Sequence, residues 1–289
     1  MAQPHVTESE TLSTDQVNAV LRLRDEVAAA CGTSPLSDHV VGEVRGGASG
    51  RHFVQTVDTH VTGYAHVDAG DSPAAELLLG PLGDAGSLLD AVSAAAGDGL
   101  RIWTRGDAAP LNHVLPALGY APTRTLLQLR RQLADPPIPE PEWPDGVTVR
   151  EFRPGVDEEP WLTVNNTAFA THPEQSNWTL DDIRAREQET WFNPRGFFIA
   201  ESAGGIVGFH WTKDHGDALG EVYVIGVDPS MQGKRLGEAL LLHGLRFLRD
   251  TGDRDVLLYV ESDNRSALAL YQRFGFTRWD ADRTFARSG

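Results

Sequence analysis

The chain has 289 residues and a mass of 31.5 kDa, which at about 150 residues per domain predicts two compact domains. Its 25 basic and 41 acidic residues leave a formal net charge of −16. That balance disfavours a nucleic-acid or polybasic membrane surface, both of which need clustered positive charge. A hydrophobic fraction of 40% is ordinary for a globular protein and argues against a disordered chain. The single cysteine, Cys31, cannot form an internal disulfide or a cysteine-built metal site and reads as a small packing residue. The opening stretch MAQPHVTESETLSTD lacks the basic-then-apolar pattern of a secretion signal. No apolar run approaches the roughly 18 residues that span a bilayer. A soluble, cytoplasmic protein is expected.

In chain order, spacing predicts helices over 14–30 and 38–44, then strands over 51–57, 61–67 and 76–79. A helix over 86–96, a strand over 100–104, a helix over 109–118 and a strand near 123–131 complete the first half. Prolines at 136, 137, 139, 141 and 144 make 136–146 an extended, polyproline-like linker. Beyond it come a strand over 147–152, helices over 157–169 and 180–190, and a hairpin of 196–200 with 206–212 across Gly204-Gly205. A strand over 220–227, a helix over 234–250, a strand over 256–261, a helix over 264–273 and a last strand over 279–285 follow. The two halves repeat one order of elements, and Leu118-Gly119-Tyr120 rhymes with Phe274-Gly275-Phe276. This predicts a tandem duplication in the α/β class with mixed sheets, with domains at 1–135 and 147–289.

The chemistry is concentrated in Gly220–Leu240. An apolar strand runs into Asp228-Pro229, then a short polar loop with glycine, then a long helix. Such a loop aims backbone N–H groups and the positive end of the helix dipole at an anion. Lys234 and Arg235 add positive charge there, and the chain's only other lysine is Lys213. A diphosphate ligand suits that combination. The Gly-Lys-Arg order is not a P-loop, and neither a Gly-x-Ser-x-Gly elbow nor a His-Glu-x-x-His helix occurs. The scattered histidines do not suggest a metal, and none is expected.

Val227-Asp-Pro229, Gln232-Gly-Lys-Arg-Leu-Gly237, Tyr259-Val-Glu-Ser-Asp-Asn264 and Tyr271-Gln-Arg-Phe-Gly-Phe276 occur in that order at close spacing. Together they resemble the GNAT superfamily of N-acetyltransferases, whose glycine loop wraps the pyrophosphate of coenzyme A. The tandem halves, with Val164–Ala170, Thr171–Gln175, Gly208–Lys213 and Gly220–Val224, are similar to the mycothiol synthase family. The likeness is close over 147–289 and looser before that. It implies two tandem GNAT-like domains, acetyl-CoA as co-substrate and a small-molecule amine as acceptor. Two fused domains make a monomer the expectation. The same fold also serves acetyl transfer to other small amines, and a non-catalytic acyl-CoA-binding module is the reading from a different class.

By that resemblance Glu221 is the general base for the attacking amine, and Tyr271 protonates the departing thiolate. The backbone of Ile225, Gly226 and Val227 can pair with the pantetheine amides as a further strand. Gln232, Gly233, Lys234, Arg235, Leu236, Gly237 and Glu238 would cradle the pyrophosphate. Asn264 and the helix turn of Arg265, Ser266, Ala267, Leu268 and Ala269 would lie along the pantetheine. Substrate contacts carried over by position are Glu174, Lys213, Glu221 and Tyr259, with Asp38 from the first half. As isolated residues, Glu174 and Lys213 read equally well as solvated surface charges.

Two departures from the family pattern stand out. Arg235 occupies a loop position where the family has glycine; a left-handed backbone there costs a side-chain-bearing residue about 1–2 kcal/mol. In the first half the corresponding loop reads Gly80-Pro-Leu-Gly-Asp-Ala-Gly86, with no basic residue and with Asp84 placed to repel phosphate. That half is expected to be catalytically inert, a wall for the substrate and a folding partner.

Overall fold

The computed structural model describes residues 3–46, 50–68, 73–170, 175 and 177–287. It divides into two compact units, Met1–Leu127 together with Asp280–Gly289, and Gln128–Trp279. The proline-rich segment, expected as the break, lies within the second unit, and the last residues, expected in the second domain, belong to the first. The difference arises because the terminal residues find their strand partner in the first unit.

That unit contains β1 (His5–Ser9), α1 (Thr14–Cys31), α2 (Asp38–Val44), β2 (Arg51–Val57), β3 (His60–Asp68), β4 (Ala74–Leu79), α3 (Ala85–Ala96), β5 (Arg101–Thr104) and α4 (Leu111–Ala117). It also holds β6 (Tyr120–Gln132) as far as Leu127, and β12 (Thr277–Arg287) from Asp280 onward. Its sheet runs β1-β2-β3-β4-β5-β12. β4 and β5 pair in parallel, while β1–β2, β2–β3, β3–β4 and β5–β12 are antiparallel. Strand alternation splits the apolar residues between two faces. Phe53, Ala65 and Leu77 pack with Leu88, Leu89 and Val92 of α3. Their neighbours Val54, Tyr64 and Leu78 pack with Val20, Leu23 and Val40 of α1 and α2. Helix α1 starts on a capping box between Ser13 and Gln16 and ends where Gly32 turns left-handed at φ +78°.

The second unit adds β7 (Thr148–Glu151), α5 (Glu158–Ala168), α6 (Leu180–Glu187), β8 (Phe197–Ser202), β9 (Gly205–Asp214), β10 (Leu219–Val227), α7 (Leu236–Thr251), β11 (Asp255–Glu261) and α8 (Arg265–Arg273). Its sheet order is β7-β8-β9-β10-β11-β6, in which β10 and β11 pair in parallel while β7–β8, β8–β9 and β9–β10 are antiparallel. One face carries an aromatic core in which the Phe197 ring stacks on Trp211 at 4.4 Å and on Phe152 at 4.2 Å. The other face receives α7 through Leu236 and Leu240, which pack with Ala200 and Val207. There the fully buried His210 donates from Nδ1 to the Leu240 carbonyl at 2.8 Å.

The proline-rich segment lies on this second unit. Arg131 donates to the carbonyls of Pro136 and Phe274, Ile138 is buried, and Arg246 donates to the Ile138 carbonyl at 3.2 Å. Trp143 packs edge-on against His243 of α7 at 5.7 Å. With φ fixed in five of eleven residues, the segment gives up little conformational entropy in adopting this path.

Candidate active site

The site is built where β10 and β11 part. Their parallel ladder covers only Leu219–Val222 against Asp255–Leu258 among the described residues. On the other edge of β10 the register with β9 shifts between Val222 and Val224, a bulge at Tyr223. Beyond the bulge β10 keeps β9 on one side and opens on the other, so the backbone of Ile225, Gly226 and Val227 fronts a wedge. Gly226 is required there, since a Cβ would come within 2.7 Å of the Phe209 ring.

The wedge leads into the glycine loop. Asp228 accepts from the Ser230 N–H at 2.9 Å, and a 3₁₀ turn spans Pro229–Met231. Gln232, Gly233, Lys234 and Arg235 follow as an exposed stretch in which Gly233 has φ +75°. Arg235 sits at φ +64° and ψ +12°, the left-handed region, and α7 begins only at Leu236. The sequence placed Lys234 and Arg235 inside this helix; the left-handed turn excludes them from it.

No side chain caps α7, so the N–H groups of Leu236, Gly237 and Glu238 keep their capacity to bind an anion. The Arg235 guanidinium lies 3.0 Å from both Glu142 and Glu238, and Arg273 also pairs with Glu238. The Arg235 contact is the main reason the Glu238 carboxyl titrates below its usual range.

Asn264 caps α8, its Oδ1 accepting from the Ala267 N–H at 3.1 Å and from the Ser266 hydroxyl at 3.0 Å. Arg265, Ser266 and Ala269 are exposed on that helix, while Ala267 and Leu268 are half-buried. Tyr271, near its end, is buried against Phe276 with ring centroids 5.6 Å apart. Burial pushes its phenol up to about 12, so it carries its proton at neutral pH.

Glu221 is the third residue of β10, opposite Lys213 on β9 and Leu257 on β11, and only 7% exposed. Residues opposite one another on a sheet share a face, and alternation adds Tyr259 to it. The Lys213 ammonium stands 4.9 Å from the Trp191 ring and 5.9 Å from the Tyr223 ring, a cation held between aromatic faces. The Tyr259 hydroxyl accepts from Gln128 at 2.7 Å. The structure therefore brings Lys213, Glu221 and Tyr259 to one sheet face, opposite that covered by α7. It adds a residue the sequence did not single out: His215 Nε2 lies 2.5 Å from Glu221 Oε2. Asp38 is an exposed residue in the first turn of α2, within the first unit. Glu174 lies outside the described residues. No group of three or more His, Cys, Asp or Glu side chains able to hold a metal occurs among the described residues.

Residues 161–276 match the model of the acetyltransferase (GNAT) family. A mycothiol acetyltransferase from Thermomonospora curvata is 47% identical over 281 residues, covering 95% of this chain and 94% of its own. The chain belongs to the mycothiol acetyltransferase family. A second mycothiol acetyltransferase, from Thermobispora bispora, is 45% identical over 93% of this chain and 95% of its own. Two solved structures share the fold. A GCN5-related N-acetyltransferase from Sphaerobacter thermophilus superposes with a TM-score of 0.72 at 21% identity, covering 98% and 96% of the two chains. A tandem GNAT protein from the clavulanic acid pathway gives 0.71 at 18% identity over 99% of each. As a mycothiol acetyltransferase family member the chain is an N-acetyltransferase built as a tandem of GNAT folds.

The tandem lets the two units of this family member be compared rung by rung. The parallel ladder of the first unit pairs Ala74–Glu76 with Arg101–Trp103, so Glu76 holds the third rung, as Glu221 does in the second. Its carboxylate is already committed, at 2.6 Å to Arg105 and 2.7 Å to the Ser37 N–H. Where α7 is uncapped, α3 is capped by its own Asp84, which accepts from the N–H groups of Gly86 at 3.1 Å and Ser87 at 3.3 Å.

Proposed function

We propose that this chain transfers the acetyl group of acetyl-CoA to the cysteinyl amine of 1D-myo-inositol 2-(L-cysteinylamino)-2-deoxy-α-D-glucopyranoside, the step that completes mycothiol. The observation carrying this reading is Glu221, a buried carboxylate on the sheet face beside the point where β10 and β11 separate. An amine must be neutral to attack a thioester, and Glu221 is the residue on that face suited to accept its proton. The new N–C bond forms as the C–S bond breaks, and Tyr271, which keeps its proton at neutral pH, supplies it to the sulfur.

The backbone of Ile225–Val227 is suited to pair with the pantetheine amides, and the uncapped start of α7 with Lys234 to hold the pyrophosphate. Asn264 through Ala269 would flank the pantetheine. Lys213 and Tyr259 present one cation and one phenol to a substrate rich in hydroxyls, while Asp38 and Glu174 are proposed as substrate contacts on the resemblance alone. The first unit takes no acetyl-CoA in this reading. Asp84 fills the helix end a phosphate would need, and Arg105 neutralises Glu76.

The test is mass spectrometry of the purified protein with acetyl-CoA and the cysteinyl precursor, beside a panel of plain amines. Acetylation of the precursor's amine, strongly slowed in Glu221→Gln, is the expected result. Acetylation of a panel amine alone would discard the substrate, and a fully active Glu221→Gln would discard the base. Calorimetry is expected to find one acetyl-CoA bound per chain; two would refute the inert first unit.

A further inference from the structure

We infer that His215 is the positioning residue for Glu221: its Nε2 holds Oε2 of the carboxylate and leaves Oε1 to receive the proton of the amine. The inference rests on the reading of Glu221 as the base and specifies how that carboxylate is aimed. The contact is 2.5 Å long. It joins a Glu221 side chain that is 9% exposed to a histidine ring that is 29% exposed. A glutamate has three rotatable side-chain bonds, so on a strand its carboxylate needs a second partner to be fixed; β10 pairing alone fixes only the Cα.

The loop that delivers the imidazole is itself over-determined. The His215 N–H donates to the Leu219 carbonyl at 2.9 Å, and the Leu219 N–H returns to the Gly216 carbonyl at 3.0 Å. The Gly216 N–H donates to Asp214 Oδ1 at 2.7 Å. Three consecutive residues, Gly216, Asp217 and Ala218, lie at φ +77°, +52° and +60°. For Asp217 and Ala218 that conformation is unfavourable and persists because the surrounding bonds impose it. A relaxed turn joining β9 to β10 would need none of this. The strained form places the ring of residue 215 against residue 221, across the start of β10.

The experiment measures kcat and KM for acetyl transfer to the cysteinyl precursor in wild type, His215→Leu, His215→Gln, Glu221→Gln and the double variant Glu221→Gln/His215→Leu. Thermal melting checks that each is folded. His215→Leu is expected to lower kcat at least tenfold with the KM for acetyl-CoA unchanged. His215→Gln, which returns an N–H donor at nearly the same reach, is expected to recover most of it. The double variant is expected to be no slower than Glu221→Gln, because the histidine acts only through the carboxylate.

An unaltered kcat in His215→Leu, or multiplied losses in the double variant, would overturn the inference while leaving Glu221 as base. A fully active Glu221→Gln would overturn both. Independently of turnover, the ring nitrogen resonances of His215 are expected to move in Glu221→Gln; unmoved resonances would refute the contact itself.

Discussion

Gly244→Ala and Gly237→Ala make the same change in the same helix, and the structure assigns them opposite signs. An alanine Cβ at Gly244 would stand 2.1 Å from Cε1 and 2.2 Å from Nδ1 of His210, where about 3.5 Å is the ordinary contact. The imidazole is fully buried and bonded to the Leu240 carbonyl, so it cannot yield more than 1 Å without leaving its partner. Overpacking costs about 1–3 kcal/mol, and breaking the buried hydrogen bond about 1–3 kcal/mol more. Replacing a helical glycine returns about 1 kcal/mol. The net is a loss of about 1–5 kcal/mol, a large share of the roughly 5–15 kcal/mol that holds a domain folded. At Gly237 the added Cβ meets only Val227 at 3.5 Å, so the helix gain of about 1 kcal/mol stands alone. Urea unfolding of both variants without acetyl-CoA reads the difference. Equal midpoints, or a Gly244→Ala protein as stable as wild type, would refute the packing argument between α7 and β9.

Burial pushes the His210 imidazole down to about 4. The unfolded ring titrates near 6.5, so it takes up a proton as pH falls while the folded ring does not, and stability is lost from about pH 6.5 down to about 4. At pH 5 the loss is about 2 kcal/mol at 1.36 kcal/mol per pH unit, and His210→Gln should flatten that part of the urea-midpoint profile. Glu187 and Asp253, pushed up to about 7 and about 6 mainly by burial, act in the opposite sense in both proteins; an identical slope in the two would contradict the argument. Arg235→Gly is expected to be more stable than Arg235→Ala by about 0.5–1 kcal/mol, because both lose the guanidinium but only alanine keeps the left-handed penalty. Urea midpoints in the reverse order would show that the loop does not hold φ +64°. Arg105→Ala leaves the buried carboxylates of Glu76 and Asp282 without the cation they share and should cost about 2–4 kcal/mol in urea unfolding; a change below about 0.5 kcal/mol would count against a network of that weight.

The strand–loop–helix from Leu219 to Thr251 was legible because three signals coincide there: an apolar run, a glycine-bearing polar loop and a long amphipathic repeat. The start of α7 was displaced by two residues because arginine is ordinarily a good helix former; the left-handed turn at Arg235 was signalled only by the glycine that the family has there. β1 escaped notice because His5–Ser9 is a mostly exposed edge strand, with no apolar alternation to read. His215 escaped for a related reason. Its meaning comes from the turn that folds it back on Glu221, and a turn with Asp217 and Ala218 at positive φ has no sequence signature. The last strand was anticipated, but its ladder with β5, some 180 positions away, is a tertiary choice invisible to local patterning.

That ladder sets an order of completion during synthesis. The first unit leaves the ribosome early, yet the partner of β5 is Arg283–Ala286, made about 180 residues after β5 itself. Asp280 and Asp282 arrive with it, the one accepting from Thr33 and Asp107 and the other from Arg105 and Gly106. Until those residues emerge, the nascent first unit carries an open strand edge at β5 and an Arg105 without the Asp282 carboxylate. The half that is made first therefore waits on the second, whose whole length lies between β5 and its strand partner.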